Sequence, residues 1–153
     1  MSLGAALLKF WTRQGIKLRP GVSEIDIAQF EAKYNVRLPR DLGEYFATVN
    51  GFDSPEQTSD GNCISFWGLD EVMPLKEYWS TPVEGADSYF AFADWSLAAH
   101  LYAIRLSAGV ADGNKVIVVY DFRPITIANS FGEFVEAYLA NNDSVLFPQP
   151  PAE

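Results

Sequence analysis

Carboxylates are the side chains of this chain numerous enough to suggest chemistry, and Asp53, Asp60, Asp70, Glu71, Asp94 and Asp121 all lie beyond its first third. Two of them would serve general acid–base catalysis if their surroundings pushed their pKa values apart, which requires burial beside a cation or a metal. Most sit at strand ends or in polar loops, where a carboxylate is a solvated cap or turn residue. Asp94 differs, because it lies inside an aromatic strand between Ala93 and Trp95. His100 is the single histidine and Cys63 the single cysteine. A Ser-His-acid triad or a thiol dyad would rest on these two alone, and a zinc site needs more ligands of their kind. His100 enters a strand ahead of Leu101 and Tyr102 and reads as a half-buried structural histidine. Cys63 heads an apolar strand with no neighbouring cation to lower its pKa, and reads as a buried, reduced thiol. Gly109 and Gly113 are hairpin glycines, unlike the glycine-rich strand-to-helix turn that cradles phosphate. The residues predict no catalytic centre, no metal and no cofactor.

Recognition of a protein partner is the chemistry that remains. The net charge is -9, and it is uneven: residues 1–40 hold seven basic and three acidic side chains, the other 113 residues four basic and 17 acidic. Beyond the first helices there is no basic patch to displace counterions from phosphate, which argues against nucleic acid. An acidic surface of this size instead speeds encounter with a basic partner. Aromatic residues make up 14% of the chain, and Trp67, Trp79, Tyr89, Phe92, Trp95 and Tyr102 crowd its central third. Most must fill a core; exposed Trp or Tyr beside acidic loops has the composition of a binding hot spot. The candidate interface is built from the 53–60 loop, the 71–79 turn and the 84–88 loop, with Asp53, Glu56, Asp60, Glu71, Trp79, Glu84 and Asp87 as its residues. The simpler role of these loops is to connect elements.

The elements that position these residues can be read from spacing and breakers. Leu3, Leu7, Phe10 and Trp11 mark one face of a helix closing near Gly15, with Lys9 and Arg13 on the other side. Ser23 and Asp26 open a second helix, which turns Ile27, Phe30 and Tyr34 inward and ends at Asn35. Pro39 suits the first turn of a third helix with the stripe Leu42, Tyr45, Phe46 and Val49, which Asn50-Gly51 stops. After the polar 52–62 loop, strands are predicted at 63–69, 89–95, 100–106 and 115–120, with Asp112-Gly113 in the last connection and a short edge strand at 124–128. Their close spacing predicts an antiparallel meander. Ser130 and Glu133 form a capping box for a last helix with Phe131, Phe134, Val135, Tyr138 and Leu139 as its apolar face. The tail beyond Asn142 holds three prolines and is expected on the surface.

Two segments bracket the chain: Ile27, Phe30, Glu31, Tyr34, Leu38, Pro39, Leu42, Tyr45, Phe46, Asn50 and Gly51, then Ile127, Ala128, Asn129, Ser130, Phe131 and Phe134. Between them lie Phe66-Trp67-Gly68 and the aromatic strand 89–95. In this order they resemble the SMI1/KNR4 (SUKH) family over about residues 20 to 140, although residues 95–99 lack the glycine-rich turn many relatives carry. The resemblance implies a non-enzymatic protein-binding module, most often an immunity protein that neutralises a bacterial toxin by occlusion, with a regulatory scaffold as the alternative; apart from the resemblance, a hydrolase using Asp94 or His100 is a third reading. The implied partner is a basic toxin domain, such as a nuclease.

The expected fold is α+β: one domain whose antiparallel or mixed twisted sheet of about five or six strands packs against N-terminal helices and a C-terminal helix. Residues 1–19 form the amphipathic helix, 20–142 the family-like domain and 143–153 a proline-rich tail. No run approaches the roughly 18–20 apolar residues a membrane span needs, and the N-terminus lacks the features of a signal peptide, so a cytoplasmic protein is expected.

Overall fold

Six helices and eight strands are described in the computed structural model of the chain, over residues 2–54, 58–109 and 113–148. Helix α1 (Leu3–Arg13) begins where the Ser2 hydroxyl accepts from the Ala5 N–H, and buries Leu7 and Trp11, four residues apart on one face. Strand β1 (Leu18–Pro20) leads to α2 (Glu24–Tyr34). The expected start of α2 is present as a full capping box between Ser23 and Asp26, and its end is Asn35, left-handed at φ 53°. Helix α3 (Arg40–Thr48) follows Pro39, which is the extended residue before the first turn and not within it.

Asn50-Gly51 does not stop α3, contrary to the expectation from the sequence. The helix ends at Thr48, and β2 (Val49–Phe52) runs through both residues and pairs antiparallel with β1, Leu18 opposite Phe52 and Pro20 opposite Val49. Val49 and Phe52 favour extended backbone and are wholly buried there, which overrides the helical spacing.

The main sheet contains β3 (Ile64–Phe66), β4 (Met73–Pro74), β5 (Tyr89–Trp95), β6 (His100–Arg105), β7 (Val116–Tyr120) and β8 (Arg123–Ala128). All its pairings are antiparallel, in the order β3-β5-β6-β7-β8, and β4 lies beyond β3 on the same edge of β5. The predicted meander is therefore present, with Pro124 on edge strand β8. Helix α4 (Leu75–Tyr78) follows β4; α5 (Phe131–Leu139) opens with the Ser130 hydroxyl accepting from the Glu133 N–H, and α6 (Asp143–Leu146) closes the described chain. The tail enters the interior before residue 149: Leu146 is wholly buried, and its carbonyl accepts from the Tyr102 hydroxyl at 2.9 Å.

The sheet has two unequal sides. Phe66, Phe90, Phe92, Tyr102, Ile104, Val116 and Val118 face the helices in the larger core, Phe90 against Phe30 and Tyr34 of α2. At its centre the Trp11 ring meets Tyr45, Phe52, Phe66 and Tyr138 at centroid distances of 4.8 to 6.2 Å. On the other side Trp67, Leu75, Val83, Ala91, Leu101, Ala103, Ile117 and Val119 form a smaller cluster under α4 and the chain that follows it.

Candidate functional site

Strand alternation alone would send Asp94 to the wrong side of the sheet. Phe90 and Phe92 face the larger core, so strict alternation puts Asp94 beside them. A β-bulge intervenes: Ala91 pairs with Ala103 and Ala93 with Tyr102, so two steps along β5 match one along β6. Phe92 and Ala93 both turn to the larger core, and Asp94 emerges on the opposite face, opposite Leu101. The Phe92 carbonyl accepts from the Trp67 N–H at 2.9 Å, in the gap between the ends of β3 and β4.

Trp67 is fixed where Asn50-Gly51 meets the Phe66-Trp67-Gly68 exit of β3. The Asn50 side-chain oxygen accepts from the Leu69 N–H at 2.6 Å, and Gly51, at φ 71°, lies so close to Trp67 and Gly68 that a Cβ there would sit 2.4 Å from the Trp67 carbonyl carbon. Asn50-Gly51 and Phe66-Trp67-Gly68 thus interlock, β2 bearing on the exit of β3. At Gly68 a Cβ would stand 2.2 Å from Arg19 Nη1, the guanidinium that donates to Asp70 at 2.7 Å and Glu71 at 3.3 Å. The hydrogen bond to Asp70 raises the Arg19 pKa further above its ordinary value. Glu71 also accepts from the Gly68 N–H at 2.8 Å.

These contacts shape an open groove of about 460 Å³ lined by Trp67, Asp70, Glu71, Met73, Tyr78, Asp94, Leu97 and Ala98. Asp94 is 8% exposed and accepts from the Trp67 indole N–H at 3.2 Å. Burial raises its pKa, opposed by the bonds from Trp67 and from the Ala98 and Asp94 backbone amides. Burial, with the Asp94 charge adding to it, raises the Tyr78 hydroxyl pKa as well. From Trp67 a run of rings extends along the surface: Tyr78 at 5.8 Å, Trp79 at 5.5 Å from Tyr78, and Phe122 at 5.1 Å from Trp79. Tyr78 and Phe122 are exposed.

Left-handed backbone carries the tips at this end of the sheet. Ser96, Leu97 and Ala98 have φ of 53°, 57° and 66°, and Asp121 and Phe122 have 49° and 63°, with glycine at none of the five. Each such residue costs of order 1 kcal/mol of backbone strain. Leu97 is 85% exposed.

The structure brings only some of the sequence-predicted interface residues together. Glu71 lines the groove, Trp79 lies half-buried in the ring run, and Glu84 and Asp87 are exposed on the chain after it, where the Ala86 carbonyl accepts from the Lys76 N–H at 2.9 Å. Asp53 is apart from these, paired with Lys17 at 3.1 Å. Glu56 lies outside the described residues. Asp60 is not at the surface: it is buried, accepting from the Asn62 and Ile64 N–H groups at 2.8 and 2.9 Å and from the Tyr138 hydroxyl. It serves the turn into β3 and the core. Tyr78 falls within the predicted 71–79 turn and Trp67 within the predicted aromatic cluster, though neither was among the named interface residues; Leu97 was not foreseen, and Asp94 was weighed only for catalysis. The glycine-poor 95–99 turn and the aspartate inside an aromatic strand were the sequence signals at this position.

His100 and Asp94 cannot share a centre, since His100 is paired opposite Trp95 and faces the larger-core side, one residue out of phase with Asp94. It stacks on Trp95 at 5.1 Å and meets Tyr120 at 4.0 Å, as a half-buried structural histidine would, and burial lowers its pKa. Cys63 is exposed, contrary to the expectation of a buried thiol. The strand begins one residue later, and Cys63 is a turn residue at φ 66° whose N–H donates to the Asp60 carbonyl at 3.1 Å. Among the described residues no group of three His, Cys, Asp or Glu side chains is placed to hold a metal ion, and no helix is long and apolar enough to cross a membrane.

A helix-backed antiparallel sheet with an acidic, aromatic groove on its thinly covered face defines an α+β module suited to binding another protein. The model of the SMI1 / KNR4 family (SUKH-1) matches residues 21–137, and the chain belongs to that family, in general one of protein-interaction modules. No curated protein matches the chain.

Proposed function

We propose that this protein is an immunity protein that works in the cytoplasm and neutralises a bacterial toxin by stoichiometric binding, without turnover. The observation that carries this reading is the acidic and aromatic surface formed by Glu71, Tyr78, Trp79, Glu84, Asp87 and Phe122, on a chain that belongs to the SMI1/KNR4 family. Exposed rings supply contact area at little entropic cost, and flanking carboxylates steer a basic surface onto them. The partner that fits is a basic toxin domain, such as a nuclease. Asp53, the residue after β2, adds to the acidic charge of the chain, and its pairing with Lys17 reduces its share of the steering.

Co-expression with the product of the gene immediately upstream in the native genome tests the reading. Growth rescue, with co-purification that weakens as salt rises, is the expected result. A neighbour that is not toxic and does not bind would overturn it and favour a regulatory scaffold with several endogenous partners.

A further inference from the structure

We propose that the groove between Trp67, Tyr78 and Asp94 is a receptor for one arginine side chain of the partner protein. The inference rests on the reading of a basic protein partner and assigns the site at which that partner is held. It starts from a charge without a counter-charge. The other two acidic residues of the groove, Asp70 and Glu71, are already held by Arg19. Asp94 is more deeply buried than either, yet its hydrogen-bond donors are an indole and backbone amides, and among the described residues no Lys, Arg or His pairs with it.

A carboxylate removed from water without a cation is costly, and a packed interior would avoid it. Here the bulge in β5 carries Asp94 out of the larger core to the wall of an open groove, where a cation from outside can reach it. The adjoining walls suit a planar cation. Trp67 and Tyr78 lie 5.8 Å apart with their planes 31° from parallel, and Tyr78 is exposed. A guanidinium can place its edge on the carboxylate and its face on an aromatic ring at once, and it sheds water more readily than an ammonium. Leu97, exposed on its left-handed turn at the groove's rim, is placed to cover the aliphatic stem of such a side chain.

The test needs no toxin. The probe is a blocked Gly-Arg-Gly peptide titrated into the full chain, read at the indole N–H resonance of Trp67, with the corresponding citrulline and lysine peptides as comparisons. The expected result is a saturable shift with the arginine peptide, weaker binding of lysine and none of citrulline. Asp94→Asn, which keeps an acceptor for the indole, should weaken the arginine peptide about tenfold, the usual effect of losing one charge-assisted bond. Tyr78→Ala, at an exposed position, should weaken it several-fold. Equal binding of citrulline, equal binding of lysine, or an unchanged affinity in Asp94→Asn would overturn the assignment. Arginine binding without toxin rescue would remove the immunity reading and leave the site; rescue at unchanged affinity by Asp94→Asn would do the reverse.

Discussion

On the helical side of the sheet, Trp11, Phe66, Phe92, Phe131 and Phe134 are sealed, and the buried carboxylate there, Asp60, takes hydrogen bonds from two backbone amides and the Tyr138 hydroxyl. On the opposite side Tyr78 and Phe122 reach solvent, Leu97 is almost bare, and Asp94 lines a groove with no cation beside it among the described residues. Both sides use aromatic rings and one buried aspartate. They differ in closure: α1, α2, α3, α5 and α6 all contribute to the first side, whereas a helix of four residues and a loop cover only part of the second. A side finished by its own chain contributes stability, and a side left unfinished keeps surface for a partner.

Substitutions on the sealed side should be the more damaging to folding. Trp11→Ala is expected to cost about 3–5 kcal/mol in denaturant unfolding, although α1 lies before the region matched by the family model. A loss below about 1 kcal/mol would mean that α1 is an appendage and that the sealed side is closed without it. Tyr138→Phe removes the hydroxyl that accepts from the Trp11 indole at 2.7 Å and donates to Asp60. It should cost about 2 kcal/mol, because two buried polar groups lose a partner.

On the open side the signs reverse. Leu97→Gly should stabilise the fold by roughly 0.5–1 kcal/mol by relieving a left-handed non-glycine residue, while weakening partner binding. Asp94→Asn should also raise the melting temperature at neutral pH. The folded-state pKa of Asp94 lies above its unfolded value, so its ionised form weakens the fold as pH rises past the unfolded pKa, with the full effect above the folded one. The advantage of the asparagine should therefore shrink as pH falls and vanish where the aspartate is protonated in both states. A gain independent of pH would point to packing as its origin. Smallest of all, Glu84→Ala with Asp87→Ala should leave unfolding within about 0.5 kcal/mol while lowering the association rate and its salt dependence.

The sealed side was the legible one. Apolar residues at helical spacing, the Ser23-Asp26 cap, the left-handed Asn35 and the close succession of strands each carry a local signal, and α1, α2, α5 and the meander follow from them. The β1–β2 pair was not legible, because three- and four-residue strands show too little alternation and Val49 also fits the stripe of α3. Acidity singled out Asp60 and Glu71 alike, but burial separates them, and burial depends on Tyr138 meeting a residue 78 positions away. Asp94 stood out as a carboxylate inside an aromatic strand, yet the side it faces depends on a bulge that period-two reading assumes away. The ring run from Trp67 to Phe122 joins three separate parts of the chain, which no local pattern could assemble.

The extra residue in β5 also constrains how the gene can change. Everything on that strand up to Phe92 is written in one reading phase of the sheet and everything from Ala93 onward in the other, and a single-codon deletion at Phe92 or Ala93 would remove the bulge, pairing Ala91, the remaining residue and Asp94 with Ala103, Tyr102 and Leu101 in unbroken alternation, with Asp94 still on the groove side. The loss would fall on the larger core, which receives two consecutive side chains from Phe92 and Ala93, and not on the groove. Residues 96–99, beyond the last β5 pairing, carry no such constraint. Diversification of partners can proceed by length and sequence changes in that hairpin tip, while the bulge decides how many side chains β5 gives to the larger core.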